Sequence, residues 1–222
     1  MASSATLSGG GSARSSSRVI SIALLLIATG FAARFIWHYA APYFLHFDVK
    51  QFEGYWPHRI RLITHIGGGI LALVCGTFQL WTGLRMRLMN VHRWIGRVYL
   101  VGAAIGIIGA FMMAVFSQPR SFGVGLMALA TAWLVTTAIA WAAIVRGLVA
   151  LHKEWMMRSY LVAFAFVTFR FITDLMPGLN AKLGSNPGDS ATSVSWLCWV
   201  LPLAVYEVIL QVRKLAGNAA SS

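Results

Sequence analysis

Charge is what this chain has least of. Only 11% of its 222 residues are Asp, Glu, Lys or Arg, where a soluble domain carries about a quarter. Acidic groups are scarcer still, six against 18 basic ones, for a formal net charge of +12. That excess does not point to nucleic acid, because the basic residues collect at the ends of apolar runs and form no basic face on a soluble domain. The only two cysteines, Cys75 and Cys198, both lie inside apolar segments, so no disulfide is expected. There is no Gly-x-x-x-x-Gly-Lys-[Ser/Thr] run, no His-Glu-x-x-His, no Cys-x-x-Cys, and no long polar stretch to build a catalytic cleft in water. Those absences exclude the common hydrolase and nucleotide-enzyme signatures.

What is present is apolar surface. Hydrophobic residues make up 58% of the chain, more than a water-soluble protein of this size can hide, so lipid is the expected solvent. Six apolar runs, at about 19–41, 62–83, 98–116, 123–145, 159–176 and 195–212, are each near the length that crosses a bilayer core. The predicted fold is all-α: a polytopic membrane bundle of about six transmembrane helices. One domain over 18–214 is flanked by flexible tails at 1–17 and 215–222. The first run, preceded by Arg14 and Arg18, also fits a secretory leader. It continues through Trp37, Tyr39 and Phe44, too long and aromatic for a segment that is cleaved.

The chain is organised around Arg85 to Val101, which packs four arginines, a histidine, a tryptophan and a tyrosine into seventeen residues. A second version runs from Leu151 to Val162. Aligned on Trp94 and Trp155, both read Trp-x-x-Arg-x-Tyr-Leu-Val, with His92 two residues before the first Trp and His152 three before the second. Two related hairpins turning at the same face are expected, a repeat of the parallel kind about an axis along the membrane normal. Spans two to five then form a four-helix core, with the first and sixth outside it. Gly67-Gly68-Gly69, Gly76, Gly102, Gly106 and Gly109 supply small positions where helices in lipid approach closely.

Charge sets the orientation. The face with the termini and both basic stretches carries eleven basic residues against Glu154 and Glu207; the other carries seven against Asp48, Glu53, Asp174 and Asp189. The positive-inside rule places the first face, and both termini, on the cytoplasmic side of the membrane.

Two polar groups are candidates for chemistry. At the basic face stand His92 and Arg97 with His152 and Arg158. Neutral imidazole binds haem iron or a transition metal, so His92 and His152 are the candidate metal and haem ligands. Arg97 and Arg158 would pair the propionates. The alternative is a membrane-surface anchor, with Trp and Tyr in the interfacial belt and Arg on lipid phosphates. In the outer half lie Arg34 and His38 on the first span, His65 beside three glycines on the second, and Arg170 and Asp174 on the fifth. Ionisable groups inside a span are functional candidates by default. Arg170 and Asp174, four apart, could instead only neutralise each other. Glycine beside His65 admits either a planar group or another backbone. Glu207 is close enough in sequence to Arg213 for local pairing.

Several motifs in order, His65-Ile-Gly-Gly-Gly…Gly76-x-x-Gln79, His92-Arg-Trp-x-Gly-Arg-x-Tyr99, His152-x-x-Trp-Met-x-Arg-Ser159 and then Arg170, resemble a bacterial family of predicted membrane proteins with a domain of unknown function. The resemblance covers roughly residues 60–175 and implies an integral membrane protein without naming a substrate. The layout is also similar to that of transmembrane di-haem b-type cytochromes, which use a histidine pair near each face. That likeness implies His92 with His152 at one haem and His65 at an outer one, where only His38 could be its mate. Three readings follow. The first is a haem b protein passing electrons between a quinone and a partner. The second is an accessory or scaffold subunit of a larger membrane complex. The third is a carrier or sensor of small anions or protons.

Overall fold

The computed structural model describes residues 9–85, 88–183 and 186–219, which are almost wholly helical. Six stretches are long and apolar enough to cross a membrane: Val19–Leu45, Val49–Gly83, Met89–Phe116, Arg120–Val145, Val149–Gly178 and Asp189–Gly217. They fall where the six apolar runs lie. A helix satisfies its backbone groups internally, which is what lets these segments stand in lipid.

The first span is α1 (Gly9–Phe35), which continues through a π-helical turn, Ile36–Ala40, into the short α2 (Pro42–Leu45). It reaches back into the Ser/Gly/Ala-rich stretch expected to be flexible. After α3 (Val49–Phe52) come α4 (Arg59–Arg85), α5 (Met89–Phe116), α6 (Arg120–Val145), α7 (Val149–Ala163), α8 (Ala165–Leu183) and α9 (Pro187–Ala219). Helices α7 and α8 together form the fifth span. From Met89 the first basic stretch forms the opening turns of α5, and the second lies in the opening turns of α7, each after left-handed backbone, at Leu88 (φ 62°) and at Gly147 (φ 74°). Left-handed backbone at those points suits glycine and is strained for leucine. Pro177 does not stop α8, which runs on to Leu183.

Helices α4 and α5 pack along each other, as do α6 and α7; α5 and α7 close the bundle against α6 and α4. Outside it, α1 lies on α4 and α8, and α9 on α6, α7 and α8. Glycine sets the α4–α5 distance. A Cβ on Gly68 would overlap the backbone of Gly106, and one on Gly109 would stand 2.7 Å from the backbone of His65. With no hydrophobic drive between helices in lipid, such backbone contact is the main source of packing energy.

The repeat is visible in burial. Gly69, Ala72, Cys75, Gly76, Gln79 and Thr82 of α4 are buried, and so are the residues 61 places later, Ala130, Trp133, Thr136, Thr137, Ala140 and Ala143 of α6.

Candidate functional site

At the basic face the two histidines occupy the same helical position. His92 is the fourth residue of α5 and His152 the fourth of α7, and their backbone amides bond the carbonyls of Leu88 and Leu148, both at 2.9 Å. The one-residue slip between the copies therefore falls after the histidines, between them and the tryptophans. His152 Nδ1 lies 2.9 Å from the Ala140 carbonyl, which can only accept, so this nitrogen carries the proton and Nε2 keeps its lone pair. His92 Nδ1 lies 2.9 Å from Thr82 Oγ1. That hydroxyl is directed at the carbonyls of Phe78 and Gln79, which assigns the proton to His92 Nδ1 in the same way. Gln79 Nε2 donates to the His92 carbonyl.

The arginines have parted ways. Arg158 is buried, and its Nε and Nη2 donate to Glu207 of α9 at 2.5 and 2.9 Å. It also lies over the rings of Trp155 and Tyr206, at 4.6 and 5.6 Å. Glu207 thus belongs to Arg158, and local pairing with Arg213 is not what fixes it. Glu154 completes the group, 2.9 Å from Lys214. Arg97, by contrast, is exposed, 4.9 Å over the ring of Trp94, which is itself 65% exposed.

A buried polar layer joins the hairpins at mid-bundle. Tyr99 of α5 bonds Ser159 Oγ of α7 at 2.6 Å, and Ser159 bonds Thr137 Oγ1 of α6 at 2.7 Å. Tyr160 of α7 bonds Thr77 Oγ1 of α4 at 2.6 Å. Tyr160 thus reaches a threonine of the other hairpin directly, whereas Tyr99 is linked to Thr137 through Ser159. Trp133 Nε1 is buried with no hydrogen-bond partner among the described residues. Sequence reasoning placed Tyr99 and Tyr160 in the repeat but missed this layer; its only trace there was the paired spacing.

In the outer half, Arg34, Arg170 and Asp174 come together with Tyr39 around a cleft of about 230 Å3 between α1 and α8. The carboxylate of Asp174 accepts from the Tyr39 hydroxyl. The Arg170 guanidinium lies 5.7 Å from the centre of the Tyr39 ring. Among the described residues, neither Arg34 nor Arg170 has a salt-bridge partner within 4.0 Å. The expected alternative, Arg170 and Asp174 neutralising each other along one helix, is replaced by a tie from Asp174 to α1. Tyr39 was the missed member, carried into place by the π-helical turn. His38 is exposed and does not line the cleft.

His65 sits apart from that cluster. Its Nδ1 lies 3.1 Å from the Gly106 carbonyl and its ring 4.7 Å from that of Phe166. The space beside the adjoining glycines, Gly68 and Gly69 on its own helix and Gly106 and Gly109 opposite, is filled by backbone and by the rings of Phe166 and Trp133. Among the described residues no three or more His, Cys, Asp or Glu side chains gather closely enough to hold a metal ion.

The profile of a family described as Predicted membrane protein (DUF2306) matches residues 62–210, more than half of the chain, and the chain belongs to that family. The match covers both hairpins and most of α9 and leaves α1 outside. No curated protein and no solved structure matches the chain.

Proposed function

We propose that this member of the predicted-membrane-protein family captures a small anionic group, a carboxylate or phosphate, in the outer-half cleft between α1 and α8, as the binding step of a carrier or sensor. One observation carries the reading: Asp174 is tied to Tyr39, which leaves the guanidinium groups of Arg34 and Arg170 at the cleft without an anion of their own. Two cations and one carboxylate leave a net charge of +1. A charge of that kind favours an anion, and the planar fork of arginine matches the oxygens of carboxylate and phosphate. Asp174 and Tyr39 hold α1 against α8 and so set the spacing of the two arginines. The charge distribution supports an orientation with the basic face toward the cytoplasm and the cleft toward the outside.

The test is equilibrium binding of inorganic phosphate and of succinate to the detergent-purified protein by calorimetry. Arg34→Gln and Arg170→Gln should each weaken binding by about tenfold or more, as removal of a charged hydrogen bond does. Affinity unchanged in both variants would reject the site.

A second reading rests on the paired histidines. His92 and His152, at equal positions in their helices, with Nδ1 engaged and Nε2 available, are the residues that would hold a haem iron at this face. A haem b held there would supply one-electron transfer between a quinone and a partner protein. The absorption spectrum of protein from haem-supplied cells decides it. Sharp α and β bands on reduction, lost in His92→Ala and His152→Ala, would establish the ligands. A colourless protein would remove this reading and leave the cleft untouched.

A further inference from the structure

The two hairpins repeat in sequence and meet along two equivalent seams, α4 with α7–α8 and α6 with α5, yet only the first of these seams is covered. On α7 and α8, Arg158, Ser159, Val162 and Ala165 are buried; 61 places earlier on α5, Arg97, Val98, Val101 and Ala104 are exposed. On the neighbouring helices Leu73 is 0% exposed while Leu134, its counterpart, is 47% exposed. The chain itself supplies the cover for the seam of α4 with α7 and α8. Helix α1 lays Ala32 and Phe35 against Leu73 and Val167, and α9 brings Glu207 to Arg158. One gives apolar bulk, the other an anion.

The seam of α6 with α5 has the corresponding groove without the cover. Between α5 and α6 a cleft of about 300 Å3 is lined by Leu100, Ala104, Ile107, Leu134 and Trp141, with Thr137 in its wall. Arg97 is three residues before Leu100 and seven before Ala104, hence on the same face of α5 and at the groove's basic-face end. Whatever completes this groove has to bring both an apolar body and a negative charge. The lining is apolar along its length and Arg97, with the exposed Trp94, stands at its basic-face end, which matches an acyl chain joined to an anionic headgroup.

We infer that the α5–α6 groove binds an anionic lipid of the basic-face leaflet, with one acyl chain between Leu100 and Leu134 and the phosphate group on Arg97. Trp94, stacked on Arg97 and largely exposed, borders the headgroup, as interfacial tryptophans do.

Native mass spectrometry of the full chain tests this, with the protein purified in the presence of phosphatidylglycerol or of phosphatidylcholine. The expected result is one retained phosphatidylglycerol per chain and no comparable retention of phosphatidylcholine. Arg97→Gln should lower occupancy about five- to tenfold, while Arg213→Gln, on the same face but off the groove, leaves it unchanged. Leu134→Trp should lower it too, by filling the groove, and Arg97→Gln keeps the test valid if that variant folds poorly. Equal retention of both lipids, equal loss with Arg97→Gln and Arg213→Gln, or a bound second protein chain that Arg97→Gln releases would each overturn the assignment.

Discussion

The two hairpins began from one pattern and have been put to different uses. In the first, α4 and α5 meet at backbone distance through Gly68, Gly106 and Gly109, and the outer surface of α5 is left to lipid. In the second, α7 and α8 are wrapped by α1 and α9, and charge can be kept inside because a partner is delivered. The positions matching Arg170 and Asp174, 61 residues earlier, are Gly109 and Met113. The same helical place is a packing glycine in one copy and the cationic wall of a cleft in the other. A repeat in a membrane therefore fixes the backbone twice, while the flanking helices decide which copy can carry ionisable groups.

The largest effect that would break this comparison is at the delivered charge. Glu207→Gln should cost about 2–3 kcal/mol, short of the ~3–5 of a fully buried pair because the carboxylate is 36% exposed, and Arg97→Gln should stay within about 0.5 kcal/mol. Thermal unfolding in one detergent, read for both variants, compares them directly, and equal losses would show that α9 does not distinguish the hairpins. Next comes the covered leucine. Leu73→Ala removes contacts to α1 and should cost about 2 kcal/mol, against under about 1 for Leu134→Ala in the open groove. Smallest are the cross-ties: Tyr99→Phe and Tyr160→Phe should each cost about 1 kcal/mol. Tyr99→Phe combined with Ser159→Ala should lose less than the sum of the two, since both abolish one bond. Strict additivity would mean that the hydroxyls do not act as a tie.

The spans and the repeat were legible in the sequence because both are written in one dimension. A run of apolar residues has to be a helix in lipid, and Trp-x-x-Arg-x-Tyr recurs in plain view. Arg34, Arg170 and Asp174 were legible as a group for the same reason, since charge inside a span stands out. Their partners were not. Nothing local tells Asp174 to bond Tyr39, which is 135 positions away, in preference to Arg170 one turn away. Glu207 is six residues from Arg213 and chooses Arg158 across the bundle. The basic stretches were legible as the turning face of the hairpins because charge marks a membrane surface, and the left-handed backbone at Leu88 and Gly147 fixes where the helix after each turn begins. The glycines around His65 allow either a cofactor or a backbone to approach; the structure fills the space with α5 and Phe166.

The most direct test of the anion reading is the sign of the Asp174→Asn effect in a phosphate titration run beside Arg170→Gln. Removing the carboxylate raises the net charge of the cleft from +1 to +2, while the Asn side chain can still accept from Tyr39. Asp174→Asn should therefore bind phosphate as tightly as wild type or tighter, and Arg170→Gln about tenfold more weakly. If Asp174→Asn weakened phosphate binding as much as Arg170→Gln does, or if neither variant altered it, the two arginines would not be the anion's receptor.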